Sequence, residues 1–203
     1  MARKSQSVEN VSQYHHGDLR SALLEAALKA LSEPEPQPLS FRDLARRLGV
    51  TTAAPYHHFR DRTDLLVQLA IQGLGLLFLE VNAAAEPGDS LKAKIRAFTL
   101  AYLRFARTQP GYYRLIFSPE VRSAGESVPE FREASNKSFD LICRMLAEDD
   151  PDLSKKAARE RAVSLWALLH GLAVLSSAGT LTRRLAAADE NRVAVDAAIR
   201  LLC

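Results

Sequence analysis

Residues 40–66 constrain the fold most, because they contain two short helical segments with a tight turn between them. Ser40 is a favoured N-cap residue for a helix that we expect to run to about Leu48. Leu44 and Leu48 lie four residues apart, which places both on one face of that helix. The first half of the segment therefore predicts a short amphipathic helix.

The second half of the segment supplies a turn and a second helix. Gly49 can adopt the left-handed conformation that ends a helix. Thr51 or Thr52 can cap a following helix that we expect to run to about Phe59. Two helices joined by a three- to four-residue turn with glycine form a helix-turn-helix, whose second helix enters the major groove of DNA.

The local charge agrees with this interpretation better than the overall charge does. The chain of 203 residues has a formal net charge of only +3, which does not indicate unspecific binding to nucleic acid. The segment from Ser40 to Arg62, however, has five arginines against two aspartates. An excess of cations at a helix-turn-helix is what attraction to phosphate requires.

Composition and motifs exclude several other classes of protein. An apolar fraction of 47% with 25% charged residues is typical of a globular protein, and no apolar run reaches the ~18 residues of a membrane span. The N-terminus has no apolar segment of the secretory type, so we expect a cytoplasmic protein.

The sequence shows no catalytic motif and no cofactor motif. His15 and His16 are adjacent, point in different directions on a helix and have no evident third ligand, so we predict no metal site.

Helical periodicity extends through the rest of the chain, and no strand-like alternation occurs. The sequence predicts an all-α fold with a flexible arm (1–13), a helix-turn-helix DNA-binding domain (14–66) and a helical ligand-binding and dimerisation domain (67–203). The first helix is expected to start near Gly17 or Asp18, and a loop is expected around residues 124–126.

The last two predicted helices, at about 154–178 and 189–202, indicate self-association. The first of them is apolar almost all round between Ala162 and Ala178. A helix without a polar face must be covered on every side, and one chain of this size covers one side. A second copy can cover the other, so we predict a homodimer through a four-helix bundle, with burial within one chain as the alternative.

The helix-turn-helix also resembles a known family. The run from Tyr56 to Phe59, followed by Arg62 and then Asp64-Leu65-Leu66, is similar to the Tyr-x-His-Phe-x-x-Lys-x-x-Leu-Leu signature of the Tet repressor (TetR) family. Arg62 stands where the family usually has lysine. Pro55 stands where many members have leucine, and its missing N–H is expected to leave the Thr51 carbonyl free.

Three further stretches extend the resemblance over most of the chain. They begin at Tyr14 (Tyr-His-His-Gly-Asp-Leu-Arg), Pro110 (Pro-Gly-Tyr-Tyr-Arg-Leu-Ile-Phe) and Trp166 (Trp-Ala-Leu-Leu-His-Gly). The last resembles the TetR subgroup whose C-terminal domain is named for a Trp, a His and a Gly. The resemblance implies an all-helical dimer with a ligand cavity in each C-terminal domain.

The resemblance implies a set of DNA contacts. Positions that would face the groove are Arg42, Thr51, Thr52, Ala53, Tyr56 and His57. Positions that would contact phosphate are Ser40, His58 and Arg62. The chemistry is compatible, because arginine can bind guanine with two hydrogen bonds and threonine methyl groups can contact thymine.

Aromatic residues at helical spacing suggest the ligand site, although such a stripe is also typical of plain core. The candidates are Phe98, Tyr102, Phe105, Tyr113, Phe117, Phe139, Trp166 and His170. They favour an apolar or aromatic effector with few polar anchors. We therefore predict a repressor that such a ligand releases from a palindromic operator. The alternatives are a ligand-independent or activating regulator, and a helical ligand-binding protein or enzyme without DNA function.

Overall fold

The computed structural model describes residues 19–33, 38–181 and 183–203, and in these ranges it contains nine α-helices, one 3₁₀ turn and no strand. The helices are α1 (Leu19–Ser32), α2 (Phe41–Leu48), α3 (Arg62–Asn82), α4 (Leu91–Thr108), α5 (Pro110–Ile116), α6 (Pro119–Gly125), α7 (Pro129–Asp149), α8 (Lys155–Ser177) and α9 (Ala187–Leu202). The predicted all-α class is confirmed. The predicted arm, the histidine pair and the expected start of the first helix at Gly17 or Asp18 lie outside the described residues.

Both predicted ends of α2 are confirmed. The Ser40 hydroxyl accepts a hydrogen bond from the Asp43 backbone N–H at 3.1 Å. Gly49 adopts φ 67°, in the left-handed region that favours glycine. Its N–H donates to the Arg46 carbonyl, and the next N–H, of Val50, donates to the Ala45 carbonyl at 3.0 Å. These two bonds form a Schellman motif, which satisfies carbonyls at the end of the helix.

The segment predicted as a second helix from Thr51 or Thr52 to Phe59 is shorter than expected. It contains one 3₁₀ turn, Ala54–His57, whose N-cap residue is Ala53 and which has no side-chain cap. The Thr51 carbonyl, expected to be free, accepts the Ala54 N–H at 3.0 Å. Pro55 has no N–H for the i−4 bond of an α-helix, so the tighter i−3 bond takes its place.

Helix α3 is the central element of the fold. Asp61 caps it by accepting the Asp64 N–H at 2.8 Å, and the Asp64 carboxylate accepts the Arg60 N–H at 3.0 Å. The helix packs against α1, α4, α5, α6 and α7. By length and apolar composition it could cross a membrane, and it is the one such helix in the described ranges. Half of its most apolar stretch is buried in the protein, which accounts for that composition.

Helix α6 was not predicted, and it overlaps the loop that was expected around residues 124–126. Ser118 caps this helix by accepting the Val121 N–H at 3.2 Å, and Pro119 occupies its first position. Glu120 lies in the first turn, where negative charge is favourable. Ser-Pro-Glu is therefore a helix-start signal that the sequence contained.

Close packing of α3 against α5 depends on Gly73. A Cβ atom added there would lie 2.7 Å from Cδ1 of Tyr112 and 3.0 Å from its Cβ. Gly75, one half-turn further on, has open space at the same position. An added methyl group therefore has no room at Gly73 but has room at Gly75.

This difference predicts opposite effects of two alanine substitutions. Gly73→Ala should lower the free energy of unfolding by about 1–3 kcal/mol, because the buried Tyr112 ring must shift. Gly75→Ala should raise it by about 0.5–1 kcal/mol, since alanine is the better helix former. Urea denaturation of both variants measures these changes, and equal stabilisation by both would contradict the close approach.

Candidate DNA interface and ligand cavity

Seven of the nine predicted DNA contacts have exposed side chains around the 3₁₀ turn and on α2. They are Arg42, Thr51, Thr52, Ala53, Tyr56, His57 and His58. Tyr56 is 61% exposed, yet its ring packs edge-on against the buried Phe41 with ring centroids 5.0 Å apart. This contact restricts the orientation of the Tyr56 ring and leaves much of its surface accessible to DNA.

The charge of this surface comes from arginines that lack acidic partners. Asp43 pairs with Arg46 at 2.8 Å, whereas Arg42 and Arg47 form no ion pair in the part of the chain that the structure describes. The hydrogen bond from the Ser40 hydroxyl, with a smaller effect of the nearby arginines, lowers the pKa of Asp43 below its ordinary value. Asp43 therefore stays ionised at neutral pH. Its single negative charge balances only one of the three arginines of α2, so the helix keeps a cationic excess.

The other two predicted contacts, Ser40 and Arg62, are half-buried and engaged within the protein. The Ser40 hydroxyl donates to the Asp43 carboxylate at 2.6 Å. The Arg62 guanidinium donates to the carboxylate of Glu120 on α6. The same carboxylate oxygen accepts the Thr63 hydroxyl at 3.1 Å. Glu120 thus joins the start of α3 to α6, and Arg62 must leave it to bind phosphate.

A cavity of about 240 Å³ lies between α3, α4, α5, α6, α7 and α8. Five of the eight predicted ligand residues line it: Phe98, Tyr102, Phe117, Phe139 and Trp166. Helix α3 contributes Leu74 and Leu77 to the same wall. Most of the lining is apolar, in agreement with the predicted class of ligand.

The remaining three candidates lie outside this lining. Phe105 is fully buried in the core. Tyr113 and His170 stand behind Tyr102 in a hydrogen-bonded chain: the two tyrosine oxygens are 3.3 Å apart, and Tyr113 Oη is 2.8 Å from His170 Nδ1. Both rings also pack against lining residues from behind: the ring centroid of Tyr113 lies 4.9 Å from that of Phe117, and that of His170 lies 4.3 Å from Phe117 and 6.2 Å from Trp166.

Burial shifts the pKa values of the three hydrogen-bonded side chains. It raises the pKa of Tyr102 well above its ordinary value and that of Tyr113 to about 12. It lowers the pKa of His170, because a charged imidazolium is poorly solvated there. At neutral pH the two phenols are protonated and the imidazole is neutral.

Polar residues on the cavity wall were not predicted. They are Arg122, Ser135, Asn136, Ser138 and Arg159. The sequence did indicate one of them, because Ser135 lies at helical spacing between apolar residues on the face of α7 that was expected to point inward. The two arginines are separated in sequence and meet only in the fold. Among the described residues, no three His, Cys, Asp or Glu side chains converge as metal ligands.

Helix α8 has one apolar face inside the protein and another at the surface. Its buried side chains are Ala158, Ala162, Leu165, Leu169 and Ala173. Exposed apolar side chains on the same helix are Val163, Trp166, Val174 and Leu175, each between 41% and 49% accessible. The chain itself therefore leaves an apolar strip of α8 uncovered.

Family comparison connects this architecture to known proteins. Residues 23–69 match the model described as bacterial regulatory proteins of the tetR family. Residues 95–202, more than half of the chain, match the Tetracyclin repressor-like C-terminal domain. The chain belongs to the TetR family. Its members are DNA-binding transcriptional regulators and not enzymes, so a regulatory protein is the function class.

Individual relatives agree with this assignment. YobS of Bacillus subtilis (strain 168), described as an uncharacterized HTH-type transcriptional regulator, is 26% identical over 161 residues, 78% of this chain and 79% of YobS. A solved structure of a protein of unknown function from Rhodococcus sp. RHA1 is 31% identical, with a TM-score of 0.75 over 94% of this chain and 97% of that one. A TetR variant from Acinetobacter baumannii AYE, in complex with minocycline, has the same fold at 18% identity and a TM-score of 0.62, over 90% and 93% of the two chains.

The Arg62–Glu120 pair generates a prediction about DNA affinity. Glu120→Gln should strengthen binding to all DNA sequences several-fold, because Arg62 no longer has to leave a carboxylate to reach a phosphate. Arg62→Ala should weaken binding to all sequences and reduce the salt slope by roughly one, because one phosphate contact is lost. The measurement is fluorescence anisotropy with labelled duplexes at several salt concentrations.

A matched control distinguishes release of Arg62 from a simple change in net charge. Glu126→Gln removes the same charge from the end of α6, where the carboxylate pairs with Arg122 at 3.2 Å. It should change DNA affinity much less than Glu120→Gln does. Equal gains in affinity for the two variants would contradict a specific release of Arg62, and an unchanged salt slope for Arg62→Ala would show that Arg62 does not bind phosphate.

Proposed function

We propose that this TetR-family regulator is a homodimeric repressor that an apolar or aromatic small molecule releases from a palindromic operator. The observation that carries the proposal is the course of α3. The helix starts at Arg62 beside the DNA-binding segment and contributes Leu74 and Leu77 to the cavity wall. A ligand that displaces this wall therefore acts on the same rigid element that holds the DNA end.

Helix α6 offers a second connection between the two sites. Its Glu120 binds Arg62 and Thr63 at the start of α3, and its Arg122 lines the cavity two residues later. A shift of α6 on ligand binding would alter both the Arg62 position and the angle of α3. A coupling free energy of about 1–3 kcal/mol is enough to change operator affinity by roughly 5- to 150-fold.

Three features support the choice of partners. The exposed arginines and the turn around Tyr56 favour double-stranded DNA as the partner of the N-terminal domain (14–66). The cavity favours a small effector for the C-terminal domain (67–203), and the structure of the Acinetobacter TetR variant in complex with minocycline supports a small-molecule ligand. Because a bacterial operator lies in the cytoplasm, the cytoplasm is the proposed location.

Operator binding and release test this function directly. DNA from upstream of the protein's own gene should give a footprint with two half-sites about one helical turn (~34 Å) apart. A ligand found by screening apolar and aromatic compounds should weaken operator binding, and operator should weaken ligand binding by the same factor. Equal ligand affinity with and without operator would exclude ligand release. Transcription in vitro that rises when the protein is added would identify an activator instead.

The uncovered strip of α8 predicts the dimer interface. Val174→Asp should shift the protein towards monomer in sedimentation equilibrium, because a charge would be buried against the partner copy. Leu79→Asp is the matched control: Leu79 is 62% exposed on α3, away from α8 and α9. Dimers of equal stability for both variants would contradict an interface at α8.

A further inference from the structure

The cavity differs in chemistry between its two ends. Its buried lining is apolar: Leu74, Leu77, Phe98, Ile116, Ile142 and Leu169 are each at most 6% exposed. Its accessible lining includes Asn136 and Arg159, both of which are exposed. A ligand in this cavity therefore has one end surrounded by hydrocarbon and the other near water.

Two cations and no anions belong to this lining. The guanidinium of Arg159 stacks on the Phe139 ring, 5.3 Å from its centroid, and has no ion pair with a carboxylate among the described residues. Arg122 stacks on Phe131 at 5.5 Å, donates to Ser135 and pairs with Glu126. Stacking on a ring fixes the plane of a guanidinium and leaves its edge free to bind an acid.

We infer that the effector is an amphipathic anion, an aromatic or short acyl carboxylate whose apolar body fills the buried end and whose carboxylate binds Arg159 at the mouth. The inference rests on the proposed ligand-binding function and specifies the ligand class. Arg122 also belongs to the lining, but Glu126 partly balances its charge. An organic cation would meet Arg159 without a counter-charge, and a neutral hydrocarbon would leave Arg159 unused.

The volume limits the size of this anion. At about 30 Å³ for each water in the liquid, the cavity of about 240 Å³ holds the equivalent of roughly eight waters. That volume accommodates a single ring with a short chain, such as 4-phenylbutyrate.

Trp166 provides the readout, because it is the one tryptophan of the chain and lies in the cavity wall. We expect 4-phenylbutyrate to change Trp166 fluorescence saturably and to bind about three- to tenfold more tightly than 4-phenylbutan-1-ol, which has the same apolar body. The corresponding amine should bind more weakly than the alcohol. The preference for the carboxylate should shrink as salt is raised, since the cavity mouth is accessible to solvent.

Substitutions of Arg159 and of a nearby control arginine test the role of Arg159. Arg159→Gln and Arg161→Gln remove the same charge from α8. Arg159→Gln should abolish the preference for carboxylate over alcohol, whereas Arg159→Lys should keep part of it. Arg161→Gln is the control, because Arg161 is an exposed residue of α8 outside the cavity lining. It should leave the preference unchanged.

Three outcomes would overturn the inference: equal affinity for the carboxylate and the alcohol, a preference that survives Arg159→Gln, or no saturable binding of any of the three probes up to their solubility. The titration uses the protein without DNA. Failure of the proposed repressor function would appear instead as absent operator binding, or as operator affinity unchanged by a probe that does bind.

Discussion

Burial of α3 by the surrounding helices is the constraint on which the rest of the structure depends. A helix of 21 residues that contacts α1, α4, α5, α6 and α7 cannot shift one end without repacking the other. Gly73 tightens this constraint, because it lets the Tyr112 ring of α5 approach the α3 backbone. The DNA-binding segment is thus anchored on the core of the C-terminal domain, and the cavity is built beside the same helix.

The position of α6 shows how a small helix can take part in both sites. It has only seven residues, yet Glu120 faces the start of α3 and Arg122 faces the cavity. Exposed ion pairs contribute little to stability on their own, about 0–1 kcal/mol. The Arg62–Glu120 pair therefore costs little to break, which suits a contact that has to exchange for a DNA phosphate.

Local signals in the sequence predicted local structure well. Ser40, Gly49 and Asp61 act through bonds to residues within five positions, so each cap could be inferred from its neighbours. The α-helix expected around Pro55 did not form for an equally local reason, the missing N–H of Pro55. That missing N–H was expected to leave the Thr51 carbonyl free, but the carbonyl accepts the Ala54 N–H instead. The helix at Pro119 was missed although its cap, proline and acid were present in the sequence.

The candidate site was predicted less completely, because its geometry depends on contacts between distant segments. Helical spacing of aromatic residues identified five residues of the cavity wall. It could not distinguish them from Phe105, which has the same spacing but is buried in the core. Arg122 and Arg159 carry no sequence signal as a pair. Their shared position follows from the packing of α6 and α8 around α7, which no local rule specifies.

The hydrogen-bonded chain behind the cavity bears on the orientation of an anionic ligand. Burial keeps His170 neutral, and with its proton on Nε2 the ring accepts the Tyr113 hydroxyl at Nδ1. Tyr113 has one hydroxyl proton, so its oxygen then accepts from Tyr102. Tyr102 then has no hydroxyl proton left to donate to a ligand. A carboxylate at the buried end would therefore lack a donor from Tyr102, whereas Arg159 at the mouth attracts it, so both ends of the cavity direct the charged group outward.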